Sequence, residues 1–371
     1  MATEEWYIID NVDEIDTPAL VVYPDRVNHN IDLAKKIIGD VTRLRPHVKT
    51  HKSADVTMLM LAAGITKFKC ATIAEAEMLG MCKAPDVLLA YQPAGPKLKR
   101  LIQLINTFPD TAFSCLVDNK TTAGNISAEA AINGIAISVY IDLNIGMNRT
   151  GIMPGEGALA LYKLCAALPA LNVKGLHAYD GHIHDSDYET RRQQSDASVQ
   201  PVFKLADDIV ANGYIKPVLI IGSSPTYPIL APRHGVECSP GTFAYWDRGY
   251  KMAFPEQEFQ TAALVIARVI SLPGDDKICI DVGHKSVSAE NELAKRIYFL
   301  NAPNLVFTGQ SEEHLVANAG KGHVYKVGDI LYGLPYHICP TIALYERAII
   351  IEKQTTAGEW KNTARDRKIT I

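Results

Sequence analysis

Short apolar runs rich in β-branched residues alternate with stretches of helical spacing through about the first 250 residues of this 371-residue chain. Such alternation predicts right-handed βαβ crossovers and a parallel sheet. Eight strand-like runs in succession favour a (β/α)8 barrel, and an open doubly wound sheet is the alternative. These runs span residues 41–49, 67–72, 86–91, 112–117, 135–142, 173–179, 217–222 and 236–239.

The pattern changes after about residue 250, where strand-like runs alternate with Gly/Pro turns and few helical stretches occur. This change predicts a separate β-rich domain. A further run at 19–23 precedes the barrel and is able to pair with the carboxy-terminal strands. The predicted fold class is therefore α/β: a TIM-type barrel over residues 20–250, and a β-rich domain formed by residues 1–19 and 251–371.

Composition excludes several classes of protein. The formal net charge is −4, which argues against an electrostatic nucleic-acid footprint. No apolar run approaches the ~20 residues of a membrane-spanning helix. The acidic start MATEEWYIIDNVDE has no basic region followed by an apolar core, so we predict no signal peptide. Seven scattered cysteines without a CxxC pair indicate reduced thiols and a cytoplasmic enzyme.

The segment RPHVKTHKS (45–53) ends the first predicted barrel strand and concentrates positive charge. Alternation along an extended strand predicts that residues 45, 47, 49 and 51 share one side, at the active-site end of the barrel. Clustered cations favour an unprotonated lysine, which Schiff-base formation with an aldehyde requires. A docking patch for phosphate or carboxylate groups is the alternative interpretation.

Two turns follow the last two predicted barrel strands. GSSPT (222–226) follows the seventh strand and opens a helical stretch, and SPGT (239–242) follows the eighth. Phosphate sites in barrels usually lie after strands seven and eight, where backbone amides and hydroxyls converge. We therefore predict a phosphate site, whose residues are Gly222, Ser223, Ser224, Thr226, Gly241 and Thr242.

His337 and Cys339 stand two residues apart in PYHICPT. On an extended segment both side chains face the same way, and together they are able to bind one metal ion while leaving positions for water and substrate. Thiolate softness favours zinc over manganese or magnesium. An isolated HxC pair usually binds nothing, so this prediction depends on its context.

That context is a resemblance that runs through most of the chain. RPHVKTHKS resembles the cofactor-lysine motif of the D-threonine aldolase and D-serine dehydratase family, which has the alanine-racemase fold and depends on pyridoxal 5′-phosphate. Further matching segments occur in the same order, and their order and spacing together are specific. They are DTPALVV (16–22), ATIAEAEML (71–79), GMNRTGI (146–152), YDGH (179–182), GSSPT (222–226), SPGT (239–242), DVGHKSVS (281–288), SEEH (311–314) and HICPT (337–341).

The resemblance implies roles for individual residues. Lys49, rather than Lys52, is the lysine that binds the cofactor, and Arg149 is the arginine that contacts its phenolic oxygen. His177 and Tyr179 alternate onto one face of the sixth strand, beside the pyridine ring or within barrel-core packing.

The family's metal, zinc by preference with manganese or magnesium possible, falls on His337 and Cys339. His182 and His184 are candidates for the acid/base near the substrate hydroxyl. The alternative interpretation is that they are polar residues at the rim of the barrel without a catalytic role. The resemblance also implies a homodimer.

Two reactions on D-β-hydroxy amino acids follow from these expectations. Retro-aldol cleavage to glycine and an aldehyde, as in D-threonine aldolase, is the leading hypothesis, with the cofactor as electron sink. Dehydration to a 2-oxo acid and ammonia is the runner-up, favoured by Cys339, which stands where aldolases often carry Asp. A metal-free racemase and a non-catalytic cofactor carrier are further alternatives; a carrier would not need the β-rich domain.

Overall fold

The computed structural model describes residues 5–371, so the first four residues of the predicted segment 1–19 lie outside it. Its strands are β1 (Ala19–Val22), β2 (Lys67–Cys70), β3 (Asp86–Leu89), β4 (Ala112–Val117), β5 (Ile137–Leu143), β6 (Leu171–Ala178), β7 (Val218–Ile221), β8 (Val236–Cys238), β9 (Ala263–Gly274), β10 (Lys277–Ile280), β11 (Ile297–Phe299), β12 (Val306–Gln310), β13 (Leu315–Asn318), β14 (Ile330–Pro335), β15 (Arg347–Glu352) and β16 (Thr355–Lys361). Its α-helices are α1 (Pro24–Ile38), α2 (Ala54–Ala62), α3 (Ile73–Met81), α4 (Pro96–Thr107), α5 (Lys120–Ile132), α6 (Glu156–Ala167), α7 (Tyr188–Ala211), α8 (Tyr227–Leu230), α9 (Arg248–Ala253) and α10 (Ile338–Ile342).

One compact unit carries the parallel sheet and is formed by Asp32–Lys49, Thr57–Gly241 and Asp366–Ile371. Its strands β2 to β8 pair in chain order, each parallel to the next. The strands are short and largely buried, as expected when helices cover one side of a parallel sheet. This architecture confirms the predicted barrel class.

The eighth member of the barrel is not a regular strand. Val41–Arg43 forms a 3-10 helix, and the strand predicted over 41–49 is reduced to two bridges, Leu44 with Cys238 and His47 with Lys69. The segment still bonds to both edge strands of the sheet, because the His47 amide donates to a carbonyl after β8 and the Lys69 amide donates to the Pro46 carbonyl. Pro46 has no amide hydrogen, which prevents a continuous ladder at this position.

The β-rich unit is formed by residues up to Ile31, by Thr50–Val56 and by Thr242–Arg365. Its nine-stranded sheet has the order β12-β13-β10-β9-β1-β15-β16, with β14 pairing with β9 and β11. Strand β1 lies antiparallel to β9 and parallel to β15, which confirms that the amino-terminal run pairs with the carboxy-terminal strands. Apolar side chains of β9, β10, β13 and β14 form one core of this sheet.

Among the helices of residues 5–371, none combines the length and the apolar character needed to cross a membrane.

Candidate active site

A cavity of about 280 Å³ opens in the barrel unit at the carboxyl ends of its strands, the end that carries the active site in barrel enzymes. Strands β2, β5 and β6 each contribute a side chain, and the segment at 47–49 and the segments that follow β2, β3, β5 and β6 complete the wall. The lining residues are His47, Lys49, Lys69, Ala71, Ala90, Tyr91, Asp142, Arg149, Thr150, His177 and Tyr179. Four of the predicted site residues therefore meet in one cavity: Lys49, Arg149, His177 and Tyr179.

Three cations surround the ring of Tyr179. The Nζ atoms of Lys49 and Lys69 lie 5.9 and 5.7 Å from the ring centroid, and Cζ of Arg149 lies 4.9 Å from it. An aromatic face attracts cations, so the ring lets them gather with less mutual repulsion than an aliphatic wall would. The cavity is consequently suited to a ligand that carries anionic groups.

His177 and Asp142 form a buried pair in this wall. The imidazole Nδ1 lies 2.7 Å from Oδ1 of the carboxylate. Burial lowers the pKa of His177, and the hydrogen bond from His177 holds the pKa of Asp142 below its usual range although burial alone would raise it. Nδ1 therefore carries the proton that Asp142 accepts, and Nε2, which has no hydrogen-bond partner among residues 5–371, is left as an acceptor.

The expectation that residues 45, 47, 49 and 51 share one side is wrong. The chain is extended only as far as His47, and residues 48–51 form a turn. Arg45 does not line the cavity but pairs with the carboxylates of Glu237 and Asp86 inside the barrel. His51 belongs to the β-rich unit.

The two predicted phosphate loops lie side by side in the barrel unit. The amide of Gly241 donates to Oγ of Ser224 at 3.1 Å, and the amide of Ser223 donates to Oγ1 of Thr226 at the same distance. Gly222 has a φ of 97°, and a side chain there would collide with Leu230, so the tight turn requires glycine.

Thr242, the sixth residue of the predicted phosphate set, is the first residue of a segment of the β-rich unit. Its hydroxyl lies 3.8 Å from Sγ of Cys339. The structure thus brings five of the six residues together in the barrel unit and places Thr242 beside the predicted metal pair.

His182 and His184 do not line the cavity. The imidazole of His182 packs against Gly146 in the loop after β5, where a β-carbon would collide with Nε2. His184 is exposed on the following loop. The positions of the two histidines do not favour the acid/base role over the alternative that they are rim residues.

His337 and Cys339 contact each other in the β-rich unit, although they do not lie on an extended segment as predicted. His337 caps α10 and Cys339 lies within that short helix, yet the imidazole and the thiol hydrogen-bond. Burial alone would lower the pKa of His337, but the Cys339 thiol and the adjacent carboxylates of Glu290 and Asp247 raise it to about 9. The Cys339 sulfur lies 3.1 Å from the hydroxyl of Thr50.

Residues 5–371 contain no group of three or more His, Cys, Asp or Glu side chains arranged to hold a metal ion. The pair itself offers one nitrogen and one sulfur donor in contact. This donor set suits a borderline-soft divalent cation that keeps open positions for other ligands.

Sequence reasoning missed Lys69, Asp142 and Glu290. Lys69 stands between Phe68 and Cys70 in the predicted strand KFKCAT, and a lysine inside a strand of a buried parallel sheet is uncommon without a partner or a function. Asp142 ends the fifth predicted strand, where parallel barrels place functional side chains. Glu290 reaches His337 from 47 positions away, and no local pattern indicates this contact.

A barrel whose strand ends gather a lysine, an arginine and a buried histidine–aspartate pair around one cavity defines a cofactor-binding barrel enzyme by its fold and site. The family model described as "Alanine racemase, N-terminal domain" matches residues 22–249, and the "Putative serine dehydratase domain" matches residues 262–351. The chain belongs to the alanine racemase N-terminal domain family.

Relatives match nearly the whole chain. The D-threonine aldolase of an Arthrobacter species is 27% identical, with 96% of this chain and 94% of the relative covered. The D-threo-3-hydroxyaspartate dehydratase of a Delftia species is 26% identical, with 94% and 97% covered. The crystal structure of D-threonine aldolase from Filomicrobium marinum superposes with a TM-score of 0.87 at 24% identity, covering 97% of this chain and 98% of that one.

Proposed function

We propose that this protein is a pyridoxal 5′-phosphate- and divalent-metal-dependent lyase that cleaves D-β-hydroxy amino acids, with retro-aldol cleavage to glycine and an aldehyde as its reaction. The observation that carries the proposal is the cavity in which Lys49, Arg149 and the His177–Asp142 pair meet. The full-length similarity to an aldolase and a dehydratase that act on such substrates supports it.

The cavity residues fit this cofactor. Nε2 of His177 is a buried acceptor without a partner in residues 5–371, and three cationic side chains converge on the ring of Tyr179. An anionic, hydrogen-bonding ring compound would satisfy both. When bound, pyridoxal 5′-phosphate supplies an electron sink for the bond-breaking step.

The roles of the chain's own residues follow from their chemistry. Lys49 provides the amine that binds the cofactor aldehyde. Arg149 carries a planar cationic guanidinium and therefore holds an anionic oxygen of the ring. Asp142 fixes His177 in one tautomer and orientation. The loops at 222–226 and 239–241 provide hydroxyls and amides for the phosphate.

We assign the divalent cation to His337 and Cys339, zinc by preference, where it would act as a Lewis acid on a substrate oxygen. The neighbouring Glu290 accepts from Nδ1 of His337. A carboxylate in this position orients the imidazole and leaves its other nitrogen for a metal.

Dehydration to a 2-oxo acid is the second candidate. A thiol rather than a carboxylate completes the donor pair at Cys339, and one full-length relative is a dehydratase. The two reactions differ in which bond breaks, and their products are therefore diagnostic.

The deciding experiment incubates the purified protein with pyridoxal 5′-phosphate, Zn²⁺ or Mn²⁺, and D-threonine. We expect glycine and acetaldehyde, with no reaction of L-threonine and none in a Lys49→Ala variant. Formation of 2-oxobutyrate without glycine selects the dehydratase. Absence of any product together with absence of a visible absorption band at roughly 410–430 nm, the signature of the lysine-bound cofactor, refutes the proposal.

A further inference from the structure

Lys69 is a buried lysine that lines the same cavity as Lys49 and forms no ion pair within residues 5–371. The residue is 2% exposed. Its ammonium group makes no hydrogen bond or ion pair with any residue between 5 and 371; its polar contact there is the face of Tyr179, 5.7 Å from Nζ. A buried charge without a partner is costly, so such a group is retained where a ligand completes it.

Neither of the two carboxylates whose charge acts on Lys69, those of Asp142 and Asp180, forms an ion pair with it within residues 5–371. Asp142 accepts the hydrogen bond from His177 at 2.7 Å. Asp180 is fully buried, neither of its carboxylate oxygens has a hydrogen-bond partner among residues 5–371, and burial raises its pKa, which favours the neutral form. Within residues 5–371 the two carboxylates therefore act on the ammonium of Lys69 without a direct ion pair.

The charge of Lys69 is consequently sensitive to what enters the cavity. Burial, and after it the like charge of Lys49, lower the pKa of Lys69 to about 7, with Arg45 adding to this effect and Asp180 and Asp142 opposing it. At neutral pH the amine is thus only partly protonated before a ligand binds. A neighbouring anion would favour the charged form and draw in a proton.

We propose that Lys69 is a further ligand-binding residue: its ammonium group holds an anionic oxygen of the ligand in this cavity and becomes fully protonated as that ligand enters. The inference rests on the proposed function only for the identity of the ligand. Arg149 approaches the same Tyr179 ring, so the cavity offers two cations to anionic oxygens. A ring phenolate of the cofactor and a carboxylate of the substrate share this chemistry.

The first arm of the test uses pyridoxine 5′-phosphate, which has an alcohol in place of the aldehyde and so binds without the covalent bond to Lys49. Calorimetric titration of the apoprotein at pH 7.5, in two buffers of different ionisation enthalpy, gives both affinity and proton uptake. We expect Lys69→Met to weaken binding about tenfold and to remove the uptake of a fraction of a proton. Lys69→Arg keeps the affinity but takes up no proton, because a guanidinium is always charged.

Lys204→Met is the control, because the side chain of Lys204 is 76% exposed on helix α7 and does not line the cavity. It should bind the probe like the wild type and take up the same fraction of a proton. Circular dichroism and thermal melting of each variant establish that the fold is kept.

The second arm measures the KM for D-threonine of the reconstituted holoenzymes. A tenfold higher KM in Lys69→Met, with probe binding unchanged, assigns the site to the substrate carboxylate; weaker probe binding assigns it to the cofactor. If Lys69→Met changes neither the probe affinity nor the KM for D-threonine, the inference about Lys69 is wrong. Proton uptake that persists in Lys69→Arg would also contradict it. Neither result would affect the proposed function. Failure of the wild-type apoprotein to bind the probe overturns the proposed function together with the inference.

Discussion

The side chains of His177 and Asp142 meet inside the barrel, with Nδ1 of the imidazole 2.7 Å from Oδ1 of the carboxylate. Residues on neighbouring parallel strands bring them together, since Asp142 in β5 is in register with His177 in β6. Burial lowers the pKa of His177 more than the carboxylate raises it, so the imidazole is neutral and donates from Nδ1. The hydrogen bond to Asp142 therefore fixes the orientation of the His177 ring and leaves Nε2 as a hydrogen-bond acceptor in the cavity wall.

Replacing Asp142 by Asn should lower the free energy of unfolding by about 1–3 kcal/mol at pH 7, because a charge-assisted hydrogen bond is lost in a buried site. The folded-state pKa of Asp142 is depressed, so its contribution is present above the unfolded value of about 3.9 and is lost as the pH falls through the lower folded value. Urea unfolding of the apoprotein at pH 7 and near pH 3 measures this. Asp32→Asn, at a side chain that is 76% exposed, is the control. Equal effects of the two substitutions at pH 7 would contradict the assignment.

His51 makes the stability of the protein depend on pH. It is fully buried, its Nδ1 accepts from the amide of Ser53, and its ring packs edge-on against Tyr245. Burial lowers the pKa of His51 to about 3. Because the folded value is below the unfolded value of about 6.5, the unfolded chain binds the proton first, and stability is lost as the pH falls from about 6.5 towards 3.

We therefore expect His51→Asn to flatten the dependence of the unfolding free energy on pH between 6 and 4 by up to about 1.4 kcal/mol per pH unit. His29→Asn, at an exposed position, serves as the comparison. Denaturant midpoints at several pH values give the slopes. Identical slopes in the wild type and His51→Asn would show that another group controls acid unfolding.

The contrast between Arg45 and Lys69 shows where sequence reasoning succeeds and where it ends. Alternation along 45–51 predicted a cluster of cations, but alternation holds only while the backbone is extended, and the turn at 48–51 ends it. Lys69 lies beside His47 instead, because the two residues form a parallel β-bridge between neighbouring segments of the sheet, and both line the cavity. The proximity of Lys69 and His47 depends on which strands of the sheet are neighbours, and a local sequence pattern does not contain this information.

Other features were predictable because they are local. The strand-like runs are apolar and bounded by turn residues, and strands form at seven of the eight predicted barrel positions. His337 and Cys339 meet because they are two residues apart, and their contact survives although the segment is a helix start rather than a strand. The position of Glu290 beside them is a tertiary contact and could not be predicted.

Arg45 stabilises the interior of the barrel rather than the ligand. Its guanidinium bonds to Glu237 at 2.8 Å and to both carboxylate oxygens of Asp86 at 2.6 and 3.0 Å, and its side chain is almost fully buried. Without Arg45, Asp86 loses its cation and Glu237 keeps only Lys67, so Arg45→Met should destabilise the protein by about 3–5 kcal/mol. Thermal or chemical unfolding tests this against Arg347→Met, where the ion pairs are exposed. A loss in Arg45→Met no larger than in that control would place the stabilising charge elsewhere.

The assignment of the metal to His337 and Cys339 predicts that the thiol of Cys339, and not that of another cysteine, is required for zinc binding. Cys339 contacts the imidazole of His337 and the hydroxyl of Thr50, whereas Cys279, in the same unit, lies on strand β10. With only two protein ligands, the loss of either should reduce zinc affinity by roughly one hundredfold or more. Zinc content after gel filtration, measured by elemental analysis, should therefore fall in Cys339→Ala and His337→Ala and remain unchanged in Cys279→Ala. If both ligand variants retain one zinc ion per chain, the metal does not bind to this pair. If zinc is lost in these two variants and not in Cys279→Ala, the pair is the metal site, and this conclusion does not depend on any assay of catalysis.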